Sequence, residues 1–390
     1  MNRRNFLALT GTFTGGKLLL PEFLNTFSKQ NTIVNPNECL VFLQLNGGND
    51  GLNTFIPFEN ELYYKARPTI ALSKSEIISA NNGMAFHPSL SDFAKIQQNG
   101  DLTVIQNVGY QNPVRSHFRS QEIWQTAPQK QEYLTSGWLG RFLDIHCKEH
   151  LPTAGINLDA YDNFALRGDE PNSITVKDPR IFSSTATSSE RKLTASSNPQ
   201  LDFVRKVSNS IGEGASEIQK AIAKTKDSDF LYPKSDLSSK LKWISKLIKG
   251  NLNSNVYYTS INGFDTHEGQ KGTHSNKLLE VNNAVNAFYN DLKEARLLEN
   301  TTLVIFSEFG RRVKENGSGT DHGTAAPMFI IGGNNKGKII GNNPNLNDLD
   351  EGDLKYEIDF RSVYSSLLKS KMDFNANKIG ILNKPLEGIF

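Results

Sequence analysis

Five short runs in this 390-residue chain are largely apolar without strict alternation: "CLVFLQL" at 39–45, "LTVIQNVG" at 102–109, "NVYYTSING" at 255–263, "TTLVIFSEFG" at 301–310 and "APMFIIGG" at 326–333. A strand wetted on one face alternates between apolar and polar residues; a strand covered on both faces does not. Helical patterns lie between the runs, most clearly at 275–300, where Leu278, Leu279, Val285, Phe288, Leu292 and Leu297 mark one apolar face. Strands alternating with helices predict an α/β fold, a three-layer sandwich whose central, mostly parallel sheet is flanked by helices. From about 168 to 250 the pattern changes to a Ser/Thr-rich stretch followed by amphipathic helices. The strand pattern resumes afterwards, so this reads as a helical insertion within one domain spanning 36–390.

Composition excludes several classes of function. The chain carries 43 Lys+Arg against 41 Asp+Glu, a net +2, which gives no basic field for nucleic acid. Only two cysteines occur, and Cys39 sits in an apolar run, so no disulfide framework is expected. No segment has the length and apolarity of a membrane anchor beyond the N-terminal signal. At that N-terminus, "MNRRNFLALTGTF" sets Arg3 and Arg4 before Phe6 and Leu7 and a weakly apolar stretch. This resembles a twin-arginine signal over 1–30, an address for export of a folded protein to the periplasm or beyond.

In an open α/β sheet, ligands bind beyond the carboxyl ends of the strands, so what each strand delivers there matters most. The first run ends in "NGGNDG", offering Asn49 and Asp50; the second leads into "YQNPVRSHF", with Arg115, Ser116 and His117, and on to Arg119. The third ends in "GFDTHEGQ" with Asp265 and His267, the fourth in "SEFGRR" with Glu308 and Arg311, and "GTDHGT" before the fifth carries Asp321 and His322. Carboxylates and imidazoles without thiolates suit a divalent ion, with zinc foremost and manganese, magnesium or calcium as alternatives. One or two such ions would favour displacement at phosphorus or sulfur. Each residue also has an ordinary reading. Asp50 and Ser116 can be turn or cap residues, and a carboxylate as close to a core strand as Glu308 needs a cation, which Arg311 or Arg312 can supply. No G-x-S-x-G elbow occurs, which argues against a serine hydrolase of the α/β type.

Several blocks taken together, "LQLNGGNDGLNTFIP", "GWLGR", "GFDTH", "SEFGRRVKENGSGTDHG" and "DFRSVYSSLL", resemble the signatures of an exported bacterial family catalogued as domain of unknown function 1501, grouped with the alkaline phosphatase and sulfatase superfamily. The resemblance implies an alkaline phosphatase-like fold and hydrolysis of a small-molecule or glycan phosphate or sulfate ester. It implies Ser116 as nucleophile at a helix N-terminus, with Arg115 and His117 beside it. Metal ligands are implied at Asp50, Asp265, His267, Glu308, Asp321 and His322, and substrate contacts at Asn49, Arg119 and Arg311. The pattern departs from the superfamily where Phe309 follows Glu308 in place of an imidazole. His117, His274 or Asp321 could supply the missing ligand. That departure also favours an alternative, an envelope binding protein that keeps the fold without catalysis.

Overall fold

A computed structural model describes residues 38–147, 151–185, 198–225 and 230–390; the signal expected at 1–30 lies outside the described residues. Nine strands form the main sheet: β1 (Cys39–Asn46), β2 (Leu102–Gly109), β3 (Gly155–Asn157), β4 (Ser173–Thr175), β5 (Val256–Asn262), β6 (Thr301–Phe306), β7 (Ala326–Gly332), β8 (Ile339–Ile340) and β9 (Ile358–Asp359). Their order is β8-β2-β7-β6-β1-β5-β3-β4, with β9 paired alongside β2. All pairings are parallel except those of β7, which runs antiparallel to both β2 and β6.

The pleat of β1 explains its continuous apolarity. Cys39, Val41, Leu43 and Leu45 enter one core, while Leu40 and Phe42 enter the other. The first core is closed by helices Ser91–Gln98, Asp236–Lys249 and Gln270–Glu294, the second by His117–Thr126, Trp138–His146 and Phe360–Met372. The expected three-layer sandwich is therefore present, with both faces of the sheet covered. On the helix Gln270–Glu294, Leu278, Val285, Phe288 and Leu292 are buried as the pattern predicts, but Leu279 points outward. Both cysteines are free. The 168–250 insertion is less purely helical than expected, because Ser173–Thr175 adds the edge strand β4 before the helices Pro179–Thr185, Pro199–Lys224 and Asp236–Lys249 begin. No helix among the described residues is long and apolar enough to cross a membrane.

The antiparallel direction of β7 positions the site. A chain that leaves β6 at its carboxyl end and enters an antiparallel neighbour does both at one edge of the sheet. The loop 307–325 therefore begins and ends where β1, β2 and β5 also end.

Candidate metal and ester site

Two glycines allow the loops to meet. Gly47 and Gly48 turn the chain after β1 with φ of +117° and +74°. A Cβ on Gly47 would lie 2.4 Å from the Asp265 nitrogen, and one on Gly48 2.4 Å from the Phe309 ring. A side chain at either position would be strained, most of all at Gly47, where the clash is with backbone. Against this turn lies Arg311, whose side chain is wholly buried. It donates to the carbonyls of Gly48 (2.8 Å), Gly47 (2.6 Å), Phe264 (3.1 Å) and Thr320 (2.7 Å), and it pairs with the Asp265 carboxylate. One guanidinium thus ties three loops together. Its donors are committed to the protein, so it is not the substrate clamp the resemblance implied.

Asp265 is the centre of an imidazole cluster. His117 Nε2 lies 3.5 Å from its Oδ1, His322 Nε2 3.2 Å and His267 Nδ1 3.0 Å. The rings of His117 and His322 are 4.2 Å apart between centroids, and those of His267 and His322 4.8 Å. Burial opposes ionisation of Asp265, but Arg311, helped by His322 and His267, holds its carboxyl at about 2. The tautomers follow from what holds each ring. His117 Nδ1 lies 2.8 Å from Glu308 Oε1, and His322 Nδ1 lies 2.7 Å from the Arg115 carbonyl. The acceptor at each Nδ1 fixes a proton there and turns Nε2 towards Asp265; the Glu308 bond, aided by the Asp265 charge, raises the His117 pKa against burial, so an ion would bind Nε2 in exchange for its proton. His117 Nε2 is buried and has no hydrogen-bond partner. His117, Asp265 and His322 offer ligand atoms all within 4.8 Å of one another, and among the described residues they are the one such group. An orphaned imidazole nitrogen aimed at a second imidazole and an ionised carboxylate is the donor set of a borderline divalent ion. These residues fit such an ion.

Glu308 serves this group from behind. Its Oε1 accepts from Gly47 N at 2.9 Å and from Gln121 at 3.2 Å as well as facing His117, and its Oε2 accepts from Ser307 Oγ at 3.1 Å. Burial pushes its carboxyl up, but the His117 bond and the backbone N–H groups of Glu308 and Gly47 hold it below the ordinary carboxylate value. Glu308 holds the His117 ring by its Nδ1, the carboxylate–histidine arrangement that orients an imidazole where a metal is bound. Asp321 stands further out, exposed, bonded to Asn316 and 4.0 Å from His267 Nε2.

The structure takes Asp50 away from this centre. Its side chain is fully buried, 2.6 Å from the equally buried Arg67 Nη1, with the Gln270 amide on the same oxygen. Burial pushes Asp50 up, yet Arg67, with help from His274 and Gln270, holds it below the usual carboxylate range. The metal-ligand role implied for Asp50 is thus replaced by an ion pair. Asn49 is likewise turned inward, where its Oδ1 meets Thr54 Oγ at 3.0 Å and His274 Nε2 at 2.9 Å. His274 belongs to this inner network and not to the imidazole cluster.

Two further arginines are also occupied. Arg115 donates through Nε to Asp353 at 2.7 Å, and Arg119 pairs with Glu122 at 2.7 Å, donates to the Glu132 carbonyl at 2.8 Å and lies 3.7 Å above the Tyr133 ring. Ser116 differs from all of these. It occupies the N-cap position of the helix His117–Thr126 with extended backbone, yet its hydroxyl makes no capping bond and its side chain is exposed. Both of its neighbours touch the cluster, Arg115 through its carbonyl and His117 through its ring. Arg67 escaped the sequence reading because it stands away from every strand end, and Gln270, last in "GFDTHEGQ", because an amide has no charge to draw attention. Only the burial of Asp50 calls for them.

Among solved structures, the chain is similar to the PsFucS1 sulfatase from Pseudoalteromonas sp., at 10% identity and a TM-score of 0.38 over 94% of this chain and 75% of that one. It is similar to a phosphonate monoester hydrolase of Agrobacterium radiobacter, at 8% identity and 0.38 over 90% and 76%. It is also similar to the C-terminal periplasmic domain of EcEptC from Escherichia coli in complex with Zn, at 12% and 0.36 over 76% and 72%. No curated protein matches the sequence. Residues 244–361 match the model of the family described as Protein of unknown function (DUF1501), the family that the strand-end blocks resemble.

Proposed function

We propose that this chain is a metal-dependent hydrolase of phosphate or sulfate esters, with one divalent ion held by His117, Asp265 and His322 and with Ser116 as nucleophile. The orphaned Nε2 of His117, facing Asp265 and His322, carries this reading. Zinc is the first candidate by donor type. When bound, the ion would supply positive charge for the ester's nonbridging oxygens and lower the pKa of a nearby hydroxyl. That charge matters here, since Arg115, Arg119 and Arg311 are all engaged elsewhere. Ser116 Oγ attacks phosphorus or sulfur, losing its proton as the new bond forms, while the departing ester oxygen takes up a proton. Water then cleaves the seryl ester and returns the hydroxyl. The free N–H groups at the start of helix His117–Thr126 favour the anion beside Ser116. His267, next to Asp265 and partly exposed, is the general acid or base of this scheme.

Elemental analysis of native protein, paired with a panel of phosphate and sulfate esters, tests this reading. About one divalent ion per chain is expected, lost in His322→Ala, with turnover abolished in Ser116→Ala. Absence of metal from natively purified protein would overturn the site. The ion pair of Asp50 with Arg67 and the ring of Phe309 favour a second reading, a binding protein that keeps the fold and one ion. Stoichiometric metal with no turnover on any ester would select it. Export rests on Arg3 and Arg4. If those residues act as a twin-arginine signal, replacing both with Lys should hold the protein in the cytoplasm on cell fractionation.

A further inference from the structure

Beside the imidazole cluster lies a cavity of about 260 Å³ that none of the roles above uses. Phe309 is its shared wall: the ring lies 4.9 Å from His117 and 5.0 Å from His322 between centroids, and it also lines the cavity. Tyr110 and Trp124 form buried parts of the lining, Tyr356 a half-exposed part, and Gln111 and Asn112 lie at the exposed rim.

The polar atoms deep in this lining are already paired. Tyr110 OH contacts Ser120 Oγ and accepts from Val114 N, Thr324 donates to the Leu354 carbonyl, and the Glu308 carboxylate is fully engaged. The exception is the Trp124 indole N–H, buried without an acceptor. The charged and amide side chains of the lining, Gln111, Asn112, Asp350 and Lys355, are exposed; a sugar ring pressed against the deep part would lose water from several hydroxyls and find almost no partners there, at a cost comparable to burying unpaired polar groups. A flat aromatic ring would lose little and gain stacking on Tyr and Phe faces. The volume suits one or two fused rings and is below the usual range for drug-sized ligands.

We propose that this cavity holds the organic part of the ester and selects a planar aromatic group over a sugar. The proposal rests on the ester-hydrolase reading for its catalytic meaning, though not for the binding itself. It also gives Arg115 a positioning role. The Arg115–Asp353 pair joins the segment before Ser116 to the turn 350–356, which supplies one side of the cavity. The same pair thereby fixes the distance between nucleophile and ring pocket.

Ligand-observed magnetic resonance titration of the full chain with phenol and with methyl glucoside tests the binding directly and needs no turnover. Saturable phenol binding is expected, with glucoside at least tenfold weaker. Tyr356→Ala, at a half-exposed position, should weaken phenol about fivefold while its urea melt stays close to that of wild type. Equal binding of the two probes, or no phenol binding to wild type, overturns the pocket whatever the enzyme does. If hydrolysis occurs, kcat/KM for benzyl phosphate, whose leaving alcohol is about as basic as methanol, should exceed that for methyl phosphate at least tenfold in wild type, and Tyr356→Ala should narrow that ratio. Phenol binding without hydrolysis of any ester would overturn the hydrolase reading and leave the aromatic pocket standing.

Discussion

Replacing Arg67 with Met tests whether Asp50 is held by an ion pair or serves as a ligand. The Arg67 guanidinium donates to Asp50 Oδ2 at 2.6 Å, Asn53 Oδ1 at 2.8 Å, the Val313 carbonyl at 2.9 Å and the Arg312 carbonyl at 2.8 Å. Asp50 Oδ1 already lacks a partner, so after the substitution the carboxylate keeps only the Gln270 amide. Removing one member of a buried pair costs about 3–5 kcal/mol, and the two bared carbonyls push the value toward the upper end. Protonation of Asp50 limits the loss, and this gives a pH signature. In the wild type the folded pKa of Asp50 is depressed, so the pair's stabilisation is present above the unfolded value of about 3.9 and fades as pH falls through the folded value. In the variant, burial without the guanidinium raises that pKa instead, so the penalty exists at neutral pH and shrinks as acid protonates the buried carboxyl. Urea unfolding at pH 7 and pH 5 should therefore give a gap of at least about 3 kcal/mol at the higher pH and a smaller one at the lower. The double variant with Asp50→Asn should recover about 1–3 kcal/mol relative to additivity. A gap under about 1 kcal/mol at pH 7, together with loss of bound metal in Asp50→Asn, would refute the ion-pair account and return Asp50 to the metal.

Glu308→Gln keeps the shape of the side chain but weakens the hold on His117, and a competition titration should show metal affinity about 10–100-fold lower with the fold intact. His274 is buried and held at about 4, mainly by burial, whereas the unfolded chain protonates near 6.5; stability should therefore be complete above that value and fall as pH drops toward 4, by up to ~3 kcal/mol. His274→Gln should flatten that part of a pH series of urea melts, while the parallel contribution of His87, held at about 3, remains. Gly48→Ala places a methyl 2.4 Å from the Phe309 ring at φ +74°, and should cost about 2 kcal/mol or more in urea while lowering metal affinity through the displaced wall.

Strand positions were legible because burial on both faces leaves a compositional mark, and all five apolar runs became strands of the main sheet. β3 and β4 escaped because three residues are too few to show a pattern. The direction of β7 was hidden for another reason: a polar, Gly-rich loop such as 307–325 reads the same whether it crosses the sheet or turns back at one edge. At the site, the sequence placed Ser116, His117, Asp265, His267 and His322 at strand ends, and the fold brings these five positions to one edge. What it could not reveal was allegiance. Asp50, Glu308 and Arg311 also sit at strand ends, but the first pairs with Arg67, the second holds His117, and the third binds Asp265 and four backbone carbonyls, contacts fixed by how the loops pack and not by any local pattern.

Phe309 joins the two proposals. A polar ligand in its place would face the cluster on one side and an apolar cavity on the other, and the second exposure would cost unpaired polar surface. An aromatic ring suits both neighbours, packing at a tilt of 34° against His117 and 33° against His322 while presenting carbon to the cavity. The position that lacks an imidazole is therefore the position from which a ring-bearing group can be placed beside the ion. On this argument Phe309→His should not build a second metal site. The new imidazole would have His117 and His322 as neighbours, but both already face Asp265, Arg311 stands nearby as a cation, and Glu308, the adjacent carboxylate, would still be committed to His117. Metal stoichiometry in that variant should stay near one per chain while phenol binding weakens. A rise to two ions with phenol binding unchanged would show that Phe309 displaced a ligand and serves no wall.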